Sequence, residues 1–389
     1  MSMDKQVPEI RFKGFSEDWE VREFGNDLVS VQTGTGLLAG SGNSGCPLIK
    51  MGNIQRGYFC FEKVERLSAK VEVEKENLAN YGDFLFNTRN TLELVGKGAT
   101  WMGKSNEFAF NNNIARFTLK GINTVFFNYL YNTQQMIKQV QARAMGTTSV
   151  AAIYPYNLKS IRYALPKVEE QTAIGNYFQK LDNLINQHQQ KHDKLSNIKK
   201  AMLEKMFPKQ GETIPEIRFK GFSREWQKDK LGQVYNFQYG EFNTNPSNGG
   251  QYPVYGANGI IGGYTRFNAQ SSAVIGHMGE YAGSVLWAEG KHFVTYNGTI
   301  AKPKKSDFNP LFGYFSLVKM NLKKVCGGSG QPFLSYDALE RLDFIFPAEP
   351  EQTAIGNYFQ KLDNLINQHQ QQITKLNNIK QACLSKMFV

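Results

Sequence analysis

The sequence predicts an α+β protein: two mixed α/β globular domains joined by two long helices that form an intramolecular antiparallel coiled coil with pseudo-twofold organisation. Three observations carry this. Leading and exit segments each occur twice along the 389 residues. The exit segments carry a heptad-like apolar seam. The bodies between them are strand-rich and unlike each other. A chain of this length exceeds what one core usually supports, so more than one domain is expected.

The duplicated frame comes first. Pro8 to Ser16 reads PEIRFKGFS and Pro215 to Ser223 repeats it, with Trp19 and Trp226 in matching places. Glu170 to Gln190, EQTAIGNYFQKLDNLINQHQQ, recurs unchanged at Glu351 to Gln371, and the likeness continues through 194–207 and 375–388. A solenoid would repeat every ~20–50 residues, so this is a duplicated frame around two different contents. The implied domains are 1–169, a first body; 170–207, the first long helix; 208–350, a second body; and 351–389, the second long helix.

In the exit segments Ile174, Phe178, Leu181, Ile185, His188, His192, Leu195, Lys199, Met202 and Met206 follow steps of four and three. That is a seam for a partner helix. The second copy offers Ile355, Phe359, Leu362, Ile366, His369, Ile373, Leu376, Lys380, Cys383 and Met387. Leu184, Ile198 and Leu203 widen the stripe and leave apolar surface for another protein. Glu170 and Glu351 favour the helix starts, and Pro166 and Pro347 stop the preceding strands. No proline falls inside 170–207 or 351–389, so each helix is expected to run roughly 57 Å. The polar seam positions His188, Lys199, His369 and Lys380 are expected to fix register.

In the first body, Gly82 to Asn87 and Ile114 to Leu119 are strand-like, and Phe126 to Arg143 is an amphipathic helix. In the second, Tyr252 to Tyr255 and Ala273 to Ile275 are short strands among many glycine turns.

Composition excludes several classes. Hydrophobic residues make up 41% and aromatics 13%, which rules out wholesale disorder. No apolar run is long enough for a spanning helix, and the first residues lack the apolar core of a secretory signal. Cys46, Cys60, Cys326 and Cys383 are far apart with no CxxC pair, which argues against disulfides and zinc and for a reduced intracellular setting. The net charge of +11 favours polyanionic partners. It is unevenly shared: residues 24–169 carry 16 basic and 10 acidic side chains, residues 233–350 carry 9 and 8.

No catalytic constellation is complete. Gly98 to Ser105 fits the spacing of a phosphate loop, but Trp101 and Met102 crowd it and strand or turn follows where a helix is needed. A self-sufficient nucleotide-binding nuclease or ATPase built on that stretch is the rival reading. Asn309-Pro310-Leu311-Phe312 approaches an amino-methyltransferase signature, and Leu311 breaks it. The bodies offer base-reading chemistry instead. Lys50, Asn53, Gln55 and Arg56 form one run, Arg89, Asn90 and Thr91 another, and Asn111, Asn112 and Asn113 a third. Arginine forks onto guanine, and asparagine or glutamine pairs with adenine, in the major groove. Lys97, Lys104 and Arg143 are candidates for phosphates. The second body presents Tyr255, Asn258, His277, Tyr281, Asn297 and Thr299, with Lys302 and Lys304 for the backbone. Asparagine and glycine also build turns, and that use competes for each of these positions.

The paired EQTAIGNYFQKLDNLINQHQQ segments and the two PEIRFKGF leads resemble the specificity subunit of a type I restriction-modification enzyme. So do Gly82 to Asn87, Tyr252 to Gly256 and Gly330 to Ser335, which are similar to phrases of its target recognition domains. The resemblance covers nearly the whole chain. It implies that each body reads one half of a split double-stranded DNA target and that the helices gauge the unread spacer. It further implies two modification (methyltransferase) subunits using S-adenosylmethionine, and restriction subunits using ATP and Mg, with no cofactor, metal or catalytic residue on this chain. A prokaryotic cytoplasmic location goes with it.

Overall fold

The computed structural model describes residues 7–40, 44–147, 149–242, 247–328 and 330–389. The chain forms two compact units, Met1–Gln187 with Gln372–Val389, and His188–Gln371.

In the first unit, β1 (Glu20–Glu23) leads into β2 (Leu28–Thr33). Then come β3 (Phe84–Asn87), β4 (Arg89–Asn90), β5 (Gly98–Thr100) and β6 (Ile114–Leu119). The main sheet has the order β2-β6-β3-β5, antiparallel throughout. The expected strands at 82–87 and 114–119 are therefore present, and neighbours. The expected single helix from Phe126 to Arg143 is instead two, α1 (Thr124–Tyr131) and α2 (Gln134–Gln141). The break is local chemistry. Thr133 takes an extended backbone, and its hydroxyl accepts from the Met136 N–H as an N-cap. After α2 come β7 (Met145–Gly146) and β8 (Ala151–Ala152), which pairs with β4. Next is β9 (Arg162–Leu165), antiparallel to β1, and then the long helix α3 (Val168–Lys205).

The second unit repeats this plan with different residues. β10 (Gln227–Lys230) is followed by β11 (Tyr235–Tyr239), β12 (Tyr252–Gly256), β13 (Gly259–Tyr264), β14 (Ala269–Gly276), β15 (Val285–Val294) and β16 (Gly298–Pro303). The sheet order is β11-β16-β14-β15-β12-β13. Its first four positions match β2-β6-β3-β5 one for one. The predicted strand at 273–275 extends to eight residues. α4 (Pro310–Met320) stands where α1 does, and β17 (Asp343–Phe346) pairs with β10 as β9 does with β1. The last helix, α5, spans Glu349–Lys386. The two bodies, unlike in sequence, share a topology.

Both long helices start two residues before the expected bounds of 170 and 351 and stop short of 207 and 389. α5 consequently contains Pro350. It lies in the first turn, where a missing N–H costs nothing.

The repeats are explained by what they hold. Glu170, 1% exposed, accepts from Arg11 Nε at 2.6 Å and Nη2 at 2.7 Å. Glu351 does the same for Arg218, both contacts at 2.6 Å. The Gln171 side chain accepts from the Asn123 N–H at 2.8 Å and donates to the Pro166 carbonyl at 2.9 Å. Gln352 does so with Asn309 and Pro347, at 2.9 and 2.8 Å. Asn123 and Asn309 are the N-caps of α1 and α4, and their amides donate to the Thr172 and Thr353 hydroxyls. A Cβ on Gly175 would meet the Phe126 nitrogen at 2.9 Å, and one on Gly356 the Phe312 nitrogen at 3.0 Å. Glu-Gln-Thr-x-x-Gly is thus a socket for the start of a body helix. The leading segments finish the frame. The Ile10 N–H donates to the Lys386 carbonyl and the Ile217 N–H to the Lys205 carbonyl, filling orphan groups at helix C-termini.

Each unit's core includes the beginning of one long helix and the end of the other. In the first, Ile174, Phe178 and Leu181 pack with Trp19, Phe84 and Phe126, and Met387 closes the cluster. Phe178 stacks on Phe388 with ring centroids 5.8 Å apart. In the second, Ile355, Phe359 and Leu362 pack with Trp226, Phe312 and Phe315, with Met206 and Phe207 alongside. Each such side chain contributes about 1.5–3 kcal/mol by leaving water. The first turns of each predicted seam are thus buried in their own body, and Ile185, Leu195, Ile366 and Leu376 are half-buried beyond them. The helices run antiparallel within each unit. In the first, Asp182 pairs with Lys380 at 2.5 Å and Tyr177 meets Cys383. In the second, Asp363 pairs with Lys199 at 2.5 Å and His188 meets His369. Lys199 and Lys380 therefore act in register through equivalent ion pairs.

Candidate nucleic-acid interface

In both units equivalent loops are tied together by backbone bonds, three of which correspond one for one. In the first, the Gly34 N–H donates to the Ile114 carbonyl, and the Asn112 N–H to that of Thr35. The Thr88 N–H donates to the Asn113 carbonyl, and the Ile153 N–H to the Thr88 carbonyl. In the second, the Gly240 N–H donates to the Gly298 carbonyl, the His277 N–H to that of Asn297, and the Leu334 N–H to that of His277. This lattice places Thr88 and His277, Asn113 and Asn297, and Ile153 and Leu334 at corresponding positions. A fixed backbone scaffold with unlike side chains at its tips suits readout of different sequences.

The structure divides the sequence candidates. Arg89, Asn90, Thr91, Asn111, Asn112 and Asn113 belong to the first loop cluster, and Arg89 and Asn112 are exposed. Asn90 and Asn111 spend their side-chain oxygens on local N–H groups, those of Thr91 and Asn113. In the second cluster Asn258, Tyr281 and Asn297 are exposed and line one shallow cavity of about 330 Å³ with Gln331 and Met278.

Buried Asn53, Thr299 and His277 are corrections to the sequence reading, and the other candidates have the following surroundings. Asn53 is buried and structural: its oxygen accepts from the Lys50 N–H, and its amide donates to the Cys60 and Lys63 carbonyls. Thr299 is fully buried in the sheet and out of reach of a base. His277 is 1% exposed, boxed by the rings of Tyr239, Tyr296 and Phe333, so it supports the cluster from below. Burial pushes its pKa down. Arg143 is spent locally, donating to the Gln139 and Ser160 carbonyls. Lys304 donates to the Gly232 carbonyl. Lys50 pairs with Glu65 and Lys104 with Glu107. Gln55 accepts from Lys97 at 2.6 Å. Arg56 lines a cavity of about 890 Å³ between the first body and residues of α3 and α5 of the same unit, not the loop cluster. Burial lowers the pKa of Arg56, and burial together with the Arg56 charge lowers that of Lys97. Tyr255 is half-buried in β12, its pKa raised by burial. Lys302 is exposed on β16.

Sequence reasoning passed over the apolar loop tips. Leu38 is 89%, Val150 69% and Phe242 79% exposed. Their one signal is an apolar residue inside a glycine- and threonine-rich loop.

The rival phosphate loop fails on geometry. Gly98–Thr100 is a strand, Trp101 is buried, and no helix follows Lys104. Asn309-Pro310-Leu311-Phe312 is the cap and first turn of α4. Among the described residues no group of three or more His, Cys, Asp or Glu could hold a metal ion, and no helix is long and apolar enough to cross a membrane.

A putative type I restriction enzyme specificity subunit (MjaX) of Methanocaldococcus jannaschii is 23% identical, over 96% of this chain and 93% of its own. The crystal structure of a type I restriction-modification system S subunit from M. genitalium has the same fold, with a TM-score of 0.67 at 17% identity, covering 98% of this chain and 99% of that one. The profile of the type I restriction modification DNA specificity domain matches twice, at residues 16–197 and 223–378, one match for each turn of the duplicated frame. With most of its length inside those two matches, the chain belongs to the type I restriction modification DNA specificity domain family.

Proposed function

We propose that each loop cluster reads one half of a bipartite duplex DNA target, and that the length of the paired helices sets the unread spacer. The carrying observation is the shared backbone lattice with unlike tips: Arg89 and Asn112 in one unit, Asn258, Tyr281 and Asn297 in the other. Two half-sites of different sequence follow. Non-specific affinity arises from phosphate neutralisation and falls steeply with salt. Each good bidentate base contact discriminates by about 1–3 kcal/mol. The paired helices receive two modification subunits, which carry S-adenosylmethionine and methylate adenine. Restriction subunits with ATP and Mg complete the assembly in a prokaryotic cytoplasm, and this chain supplies recognition alone.

The test is co-expression with the cognate modification subunit and mapping of methylated adenines. A two-part motif with a fixed gap is expected. A continuous motif, or methylation without sequence preference, overturns the reading. Removing one heptad from both helices is expected to change the gap and keep both half-sites; an unchanged gap defeats the gauge.

A further inference from the structure

The strongest cluster outside the recognition loops is the pair His188 and His369. The two occupy the same position of the 21-residue repeat, and antiparallel pairing brings that position against itself. Their Nδ1 atoms are 2.9 Å apart, with ring centroids at 5.1 Å and planes inclined by 54°. Both rings are half-buried in the second unit. One turn along α3, His192 lies on the same side as His188. Its Nδ1 meets Asp193 at 3.1 Å, leaving Nε2 available. It is near enough for its charge, with those of His188 and Lys191, to act on His369, whose pKa falls first through burial.

From this geometry we propose that His188 and His369 form a two-imidazole clip for a late first-row divalent cation, Cu²⁺ or Ni²⁺, that cross-links the two helices. Ligand type selects the metal: imidazole suits late first-row divalent ions, and affinity along the series peaks at Cu²⁺. Imidazole nitrogens bind such ions at roughly 2.0–2.1 Å, which sets two of them about 2.9 to 3.4 Å apart between the right and the tetrahedral angle. The two Nδ1 atoms, 2.9 Å apart across their hydrogen bond, are close enough to share one ion. Each Nδ1 must give up its part in the imidazole–imidazole hydrogen bond, so one proton leaves or tautomerises as the ion enters. No three-ligand group is preassembled among the described residues. Water, or His192 after a rotamer change, fills the remaining positions, and affinity is moderate.

The experiment titrates the full-length chain with Ni²⁺ or Cu²⁺ alone, by calorimetry and thermal shift, beside His188→Asn and His369→Asn. Circular dichroism confirms that the variants are folded. One ion per chain is expected, with a rise in unfolding temperature reversed by chelator, and binding about tenfold or more weaker in either variant. The Cu²⁺ complex is expected to show a tetragonal spectrum with nitrogen hyperfine structure, lost in both variants. Binding is also expected to weaken in acid, because protons compete with the ion for the imidazole nitrogens. No stoichiometric binding, equal binding by the variants, or tighter binding of Zn²⁺ than of Cu²⁺ and Ni²⁺ would overturn the proposal.

Discussion

Replacing Glu170 by alanine is expected to be one of the most damaging single changes in the first unit. The Glu170 carboxylate is 2% exposed and the Arg11 side chain 12%. They make two charge-assisted bonds of 2.6 and 2.7 Å, and Arg11 Nη2 also holds the Glu17 carbonyl at 2.5 Å. Removing the acid leaves a guanidinium desolvated and unpaired, which costs about 3–5 kcal/mol. Of a typical total of about 5–15 kcal/mol, that is a large share. The segment from Pro8 to Ser16 then loses its tether, and Trp19 beside it loses protection. Urea unfolding and hydrogen exchange of peptides around Trp19 measure both effects. Replacing both partners, Arg11→Met with Glu170→Leu, is expected to recover most of the loss, because no charge is left stranded. A loss below about 1 kcal/mol for Glu170→Ala, or a double variant as unstable as the single one, would refute the buried-clamp argument.

Gly175→Ala places a methyl 2.9 Å from the Phe126 nitrogen; a loss of about 1–3 kcal/mol in denaturation is expected. Arg89→Ala is expected to relax one half-site only, by about 1–3 kcal/mol, read as a broadened motif in methylation maps. Thr299→Val replaces a fully buried hydroxyl that has no partner with an isosteric methyl; unchanged or higher stability and an unchanged motif are expected. His277 and His292 both have pKa values lowered by burial. The folded chain thus binds fewer protons than the unfolded one below the ordinary value of 6.5. Stability is full above that value and falls as pH drops beneath it, by up to about 1.4 kcal/mol per unit for each histidine. Denaturation at pH 7.5 and 5.5 (about one unit either side) checks this, and His277→Phe should flatten the slope.

Much of the frame was legible because its signals are periodic or repeated. The heptad steps placed α3 and α5, and Gly82 to Asn87 and Ile114 to Leu119 placed two sheet neighbours. The break at Thr133 was hidden, since apolar spacing runs on through it from Phe126 to Val140 and only a side-chain cap ends α1. The shared topology of the bodies was hidden too. A strand needs an alternation and a register, which Phe84 and Phe86 supply in one unit and Ala273 and Ile275 in the other. Among the recognition candidates, Arg89 and Asn112 stayed at the surface whereas Asn53, Arg143 and Thr299 went into the framework. Residue type alone cannot separate these uses, because the same amide that pairs with adenine also satisfies buried carbonyls, as Asn53 does for Cys60 and Lys63.

The composition of the units has a consequence for synthesis. The second unit is one uninterrupted run of chain, whereas the first borrows residues 372–389 to complete its core. The chain of His188–Gln371 is therefore fully synthesised before Phe388, which the pocket around Trp19 and Phe126 awaits, is added. The part made first is finished last. Until then it holds an unsealed apolar cleft, the kind of exposed surface that favours aggregation.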